Sequence, residues 1–139
     1  MIKEYYRPKT VSEAERLFAE TDKKVVPLGG GSVLSRSKQD SLCVVDLRDL
    51  GLDRIEAVGQ KLTIGATTTL QQLLDADPIP VVLKEVIKKS ATLNTRNQAT
   101  VAGYVVSAGG RAPLAIALMA LDAQLLWHPH QILQPIGDW

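Results

Sequence analysis

The stretch that most constrains this chain runs from Lys24 to Leu34, KVVPLGGGSVL, where a short apolar run opens directly into three consecutive glycines and a serine. It reads as a strand that empties into a phosphate-sized loop. Gly29, Gly30 and Gly31 carry no Cβ, so their N–H groups can face a diphosphate at close range, and Ser32 adds a hydroxyl donor. The same triplet also fits a plain tight turn, since glycine is frequent at turns for its own reasons. What weighs toward binding is a second stretch far along the chain, Ala91 to Gly110 (ATLNTRNQATVAGYVVSAGG), dense in small and amide residues with Arg96 its only cation. It reads as a long irregular segment, and such segments in compact domains are usually functional.

The residues around the glycine loop set its frame. Tyr5 and Tyr6 precede Pro8 in an extended entry at a sheet edge, and Thr10-Val11-Ser12-Glu13 has capping-box form. The helix that follows places Val11, Ala14, Leu17 and Phe18 on one face, with Glu13, Glu15 and Arg16 away from it. Strand, helix and strand make a βαβ crossover. Leu42 to Leu47 (LCVVDL) reads as a third, buried strand in which Asp46 needs a partner.

From Arg54 to Ala66 the apolar period changes to two, with a turn at Gly59-Gln60, which predicts an antiparallel hairpin. Thr68 to Gln72 holds overlapping capping boxes for a short helix with Leu70, Leu73 and Leu74 inward, ended by Pro78 and Pro80. A second helix is expected over Val82 to Ala91, burying Leu83, Val86 and Ile87 and pairing Glu85 with Lys89 outside. Pro113 opens a helix that is apolar all round and therefore expected to be central and buried. Gln124 to Trp127 leaves as a strand, and His128 to Trp139 is polar with no clear final element. The fold class expected is α+β, with a βαβ subdomain over 1–52 and a mostly antiparallel-sheet subdomain with helices over 53–139.

At 139 residues the chain is one domain or two small subdomains sharing a core, and its net charge of +1 shows no basic excess of the kind a nucleic-acid binder carries. Cys43 is the only cysteine, which rules out an internal disulfide or a four-thiolate iron–sulfur site and fits a reduced, cytoplasmic setting. The first ten residues, MIKEYYRPKT, lack a signal-peptide core, and no apolar stretch approaches the ~20 residues of a membrane span, so a soluble chain with no membrane partner is expected.

Other chemistry is set aside on its own terms. After Gly31 comes Ser32-Val33 rather than the Lys-Ser/Thr of a P-loop, and GGGSVL does not supply G-x-G-x-x-G. His128 and His130 have no third ligand, so no metal site is assigned, and no Ser/His/Asp set or catalytic acid or base is evident.

Taken together, GGGSVL after a strand, VVDLRDL, IGATTTLQQLL, NTRNQATVAGY and the ALDA turn resemble the flavoprotein (medium) subunit of molybdenum hydroxylases. This is the carbon monoxide dehydrogenase and xanthine dehydrogenase group, and the match covers nearly the whole chain in order and spacing. The resemblance implies a PCMH-type FAD-binding fold, with FAD lying extended between the α/β part and the antiparallel part. It implies partners as well: an iron–sulfur small subunit that feeds electrons to the flavin and a molybdopterin-binding large subunit behind it, with NAD or oxygen as acceptor.

Carried over by position, the resemblance puts Leu28, Gly29, Gly30, Gly31, Ser32 and Val33 at the FAD pyrophosphate, and Thr100, Val101, Gly103 and Tyr104 at a second FAD loop. The family usually reads T-I-G-G-N there, so Ala102 stands for a glycine and Tyr104 for an asparagine; Pro113 stands where an FAD-contacting aspartate is common. Family members also continue into a separate C-terminal domain, which these 139 residues do not include. The functional expectation is an FAD-binding electron-transfer domain, part of an oxidoreductase and not active alone. The rival is a family member that keeps the fold without flavin as a subunit-contact module. An apolar patch left without its usual neighbour would favour a homo-oligomer.

Overall fold

Val25–Leu28 is a strand, and it lies beside the buried LCVVD run rather than beside the strand that opens the chain. In the computed structural model, which describes residues 2–20, 22–34, 41–107, 111–128 and 130–138, β1 (Ile2–Tyr6), β2 (Val25–Leu28) and β3 (Leu42–Asp46) form a parallel sheet in the order β1-β3-β2. β3 is therefore flanked on both sides, and all its residues are buried, as a central parallel strand requires. The crossover from β1 to β2 is α1 (Val11–Phe18). Thr10 Oγ1 accepts the Glu13 N–H at 3.2 Å. The Glu13 carboxylate does not return to Thr10, however; it accepts from the Lys9 N–H at 2.9 Å, one residue outside a capping box. Of the predicted stripe Ala14 is buried, Val11 and Leu17 are half-buried, and Phe18 in the last turn is exposed.

Asp46 has the partners its burial demands. Tyr5 Oη donates to Oδ2, and the Arg48 N–H donates to Oδ1 at 2.9 Å. Three residues on, Asp49 holds Arg7 at 2.8 Å and also Lys9. The Arg7 guanidinium first, then the Lys9 ammonium, lowers the Asp49 carboxyl from 3.8 to about 2. A carboxyl depressed in the folded state stabilises above its unfolded value, and that contribution fades as pH falls from 3.8 towards about 2. Thermal melts across that window are expected to fall more steeply for the wild type than for Asp49→Asn; identical slopes would show the network to be inert.

The second half changes to antiparallel pairing. β4 (Ile55–Val58) and β5 (Lys61–Ile64) form a hairpin around Gly59, whose φ is 59°. The remaining antiparallel pairing is a separate ladder, β6 (Gln124–Trp127) with β7 (Ile132–Pro135), so among the described residues it comes as two hairpins rather than one continuous sheet. β7 and the 3-10 turn Ile136–Asp138 occupy the segment expected to lack a final element. Pro135 ends the strand at its edge, where a missing N–H costs no ladder bond. Pro129, between the two histidines, lies outside the described residues, as do 35–40 of the polar connection before β3.

The helices carry the main apolar cluster. α2 (Leu70–Asp75) begins in a reciprocal cap in which Thr69 Oγ1 accepts from Gln72 N–H at 3.1 Å and Gln72 Oε1 accepts from Thr69 N–H at 2.8 Å. α3 (Val81–Ser90) buries Leu83 and Ile87, and Glu85 meets Lys88 at 3.6 Å instead of Lys89. The supposedly irregular stretch after Ala91 is helical: α4 (Leu93–Gln98) and α5 (Val101–Ser107), with 108–110 outside the described residues. Thr92 Oγ1 takes the Thr95 N–H at 3.4 Å and Thr100 Oγ1 takes the Gly103 N–H at 3.2 Å, so each threonine starts a helix too short to display an apolar stripe.

α6 (Pro113–Ala120) has Pro113 in its first turn as expected, but it is not buried all round. Leu114, Ala115, Ala117 and Leu118 face the core, where α6 packs on α3, while Ile116 is 57% exposed and Met119 46%. No helix among the described residues is long and apolar enough to cross a membrane.

Candidate functional site

A single antiparallel bridge, Thr69 to Thr100, brings the start of α2 onto the start of α5. Leu70 N–H donates to Ala99 O at 3.0 Å and Val101 N–H to Thr68 O at 2.8 Å. The glycine loop then lies directly on this bridge. A Cβ at Gly30 would stand 1.4 Å from the Gln98 carbonyl oxygen, and one at Gly29 would stand 2.8 Å from Thr100 Oγ1. Gly30 meets the other loop backbone to backbone, and Gly29 lies against the Thr100 side chain, so neither position has room for a Cβ. Gly31, with φ 74°, then turns the chain into a conformation that only glycine adopts without strain.

Where the loops meet there is a crevice of about 490 Å³, lined by Gly29, Gly30, Arg48, Asp53, Thr67, Thr69, Gln72, Asn97, Gln98 and Thr100. Every lining side chain is polar. Arg48 reaches it because Asp46 fixes the Arg48 N–H at the end of β3, and it pairs with no carboxylate among the described residues. Asp53 is held by the neighbouring backbone, since Gly65 N–H donates to Arg54 O and Thr67 N–H to Leu52 O, both at 2.8 Å. Thr69 and Gln72 are fixed by their reciprocal cap.

Among the described residues no acceptor takes the N–H groups of Gly29, Gly30 or Gly31. Thr67 Oγ1 is likewise buried without a hydrogen-bond partner. A crevice with unpaired backbone donors, a guanidinium and several hydroxyls on its walls suits an anionic, hydroxyl-rich ligand such as a nucleotide diphosphate.

Of the residues singled out from sequence, Gly29, Gly30 and Thr100 line the crevice together. Leu28 pairs with Asp46 at the end of β2, and Gly31, Ser32 and Val33 continue the loop without lining the crevice. Val101 is buried in the core, and Gly103 contributes its N–H to the Thr100 cap. Tyr104 packs against the helical core and donates its hydroxyl to Ser90 O at 3.2 Å, so it does not plug the crevice. Ala102 sits inside α5 and is not among the positive-φ residues, so the strain that would follow from replacing a left-handed glycine does not arise.

Sequence reasoning missed Arg48, Asp53, Thr67, Thr69, Gln72, Asn97 and Gln98. Asn97-Gln98 had a usable signal, an amide pair two residues before Thr100; the others are single polar residues that only the fold gathers.

Comparison with known proteins gives the context. Residues 1–134 match the family model described as the FAD binding domain in molybdopterin dehydrogenase. The chain is 33% identical over 129 residues to the uncharacterised protein YgfM of Escherichia coli K12, covering 91% of this chain and 50% of that one. It is 32% identical over 114 residues to the carbon monoxide dehydrogenase medium chain of Afipia carboxidovorans, covering 78% of this chain and 38% of that one. Among solved structures, it superposes on reconstituted CO dehydrogenase from Oligotropha carboxidovorans with a TM-score of 0.84 at 26% identity, covering 98% of this chain and 51% of that one. It also superposes on Cu,Mo-CO dehydrogenase in its cyanide-inactivated form with a TM-score of 0.81 at 27% identity, over 100% of this chain and 52% of that one. The chain thus spans about half the length of the curated relatives it matches, at most 50% of each.

Proposed function

The chain belongs to the family of FAD-binding domains of molybdopterin dehydrogenases, and from that premise we propose that the crevice between Gly29-Gly30 and Gln98–Thr100 holds FAD. The observation that supports this reading is the close contact of the two loops, beside which Gly29 and Gly30 line a polar cleft and their N–H groups have no acceptor among the described residues. Gly29 and Gly30 hold the pyrophosphate, Gly31 and Ser32 turn the loop that presents them, and Arg48 offsets its charge. Thr100 closes over it, while Leu28, Val33, Val101, Gly103 and Tyr104 shape the two loops. Bound FAD supplies the redox chemistry. The protein's part is to bind it, fix its pose and set the charge around it.

In this reading the chain is one component of an oxidoreductase complex, not active alone, that transfers electrons between a partner subunit with iron–sulfur clusters and a molybdopterin-binding subunit upstream, and an acceptor. The division into 1–52 and 53–139 and a cytoplasmic setting belong to the same proposal. The rival, a fold kept without flavin, draws no support from Tyr104, which faces the core, nor from Ala102, which is helical.

The test is a titration of the purified protein with FAD followed by desalting. Retained flavin absorption is expected, and Arg48→Gln is expected to weaken affinity by about ten- to a hundredfold, the loss of one charge-assisted hydrogen bond. Protein that stays colourless at saturating FAD overturns the reading.

A further inference from the structure

The walls of the crevice are of one chemical kind. Arg48, Asp53, Thr69, Asn97 and Gln98 bring a guanidinium, a carboxylate, a hydroxyl and amides, and no lining residue carries an aromatic ring or a Val, Leu, Ile or Met side chain. The aromatic rings of the described residues are engaged elsewhere: Tyr5 bonds Asp46, Tyr6 stands with Glu4 and Lys23, and Tyr104 packs against the helical core. Phe18 ends α1 and Trp127 ends β6. A pocket that recognises a ring system is lined mainly by apolar and aromatic side chains that cover its faces, with a few polar groups to orient it. This crevice has the opposite composition. Its walls, with the Gly29 and Gly30 N–H groups that have no acceptor among the described residues, match the diphosphate and sugar hydroxyls of a dinucleotide and offer its ring systems no face to stack on.

We propose that this crevice recognises the diphosphate–sugar core of its ligand and neither ring system, so that it takes nucleoside diphosphate esters as a class and the flavin ring of FAD lies outside it. This deepens the reading of the crevice as the FAD site and rests on it. Arg48 meets the phosphate charge, while Asp53 and the amides of Asn97 and Gln98 meet sugar hydroxyls. An aromatic platform under a ring adds about ten- to a hundredfold in affinity, and the crevice supplies no such increment. Any preference for flavin over another group in its place comes from a surface other than these walls.

The experiment titrates the full chain by calorimetry with FAD, with ADP-ribose and UDP-glucose, which keep a diphosphate between two sugars and lack the flavin, and with riboflavin, which keeps the flavin and lacks the diphosphate. ADP-ribose and UDP-glucose are expected to bind within about tenfold of FAD, and riboflavin more than about tenfold weaker than FAD. Arg48→Gln is expected to weaken FAD, ADP-ribose and UDP-glucose by the same factor, because its contact is to the part they share. If FAD binds more than about tenfold tighter than either flavin-free ester, or riboflavin binds within about tenfold of FAD, this inference falls while the FAD reading stands. An Arg48→Gln loss confined to FAD has the same consequence. If the wild type binds no FAD, both fall together.

Discussion

Gly30→Ala is expected to abolish FAD binding and to unfold the protein at markedly lower temperature. The methyl group would stand 1.4 Å from the backbone oxygen of Gln98, and no side-chain rotation relieves a clash with backbone. The loops must part, at a cost of about 3 kcal/mol or more, the upper end of overpacking effects. The crevice between them then loses its shape, so affinity is expected to fall by about a hundredfold or more. Gly51→Ala is the comparison without a clash: its φ lies in the left-handed region, at 66°, but nothing lies within 4 Å of the added Cβ. It is expected to cost only about 1 kcal/mol of conformational strain and to leave FAD affinity unchanged. Equal behaviour of the two variants in chemical denaturation and FAD titration would show that loop contact is irrelevant to the site.

The second large effect is expected from Asp46→Ala. Asp46 is 1% exposed, and its removal leaves both the Tyr5 hydroxyl and the Arg48 N–H without their acceptor. Each lost contact is a hydrogen bond to a charged group, worth about 1.5–3 kcal/mol, so a loss of about 3 kcal/mol or more in denaturant titration is expected. Because the same carboxylate fixes the backbone of Arg48, FAD affinity should fall with it, which separates Asp46 from an ordinary core residue. Adding Tyr5→Phe to Asp46→Ala is expected to cost little further stability, because the bond between them is already gone, and to recover none of the affinity. Strict additivity of the two substitutions would refute the shared network.

How much of this could be read from sequence follows from which signals are local. The strand into the glycine loop, the Gly59 hairpin and the reciprocal Thr69–Gln72 cap are written in residues a few positions apart, and each is present in the structure. The need of Asp46 for a partner was legible from its type alone; that the partner is Tyr5 depends on β1 lying beside β3.

The stretch from Thr92 to Ser107 misled because its two helices are short and rich in amides and small residues, so neither turn chemistry nor apolar period distinguishes them from loop. α6 misled in the opposite sense, because a helix with no polar residue gives no hint of which side is covered. The crevice was half legible: glycines announce close backbone approach, but Arg48, Asp53 and Gln72 acquire meaning only when the sheet and α2 bring them to one place. Tyr104 shows the limit most plainly, since its position in the chain matches a cofactor loop while its ring packs into the helical core.

The bridge between Thr69 and Thr100, with the glycine turn laid across it, joins three segments that are remote along the chain. None of the three can build the pocket alone, so the pocket is completed only after the slowest, most distant pairings have closed. A nucleotide captured there acts as a non-covalent staple over all three. At a hundred times its dissociation constant it adds about 2.7 kcal/mol to the global stability, and cells starved of the cofactor would hold a correspondingly shorter-lived protein.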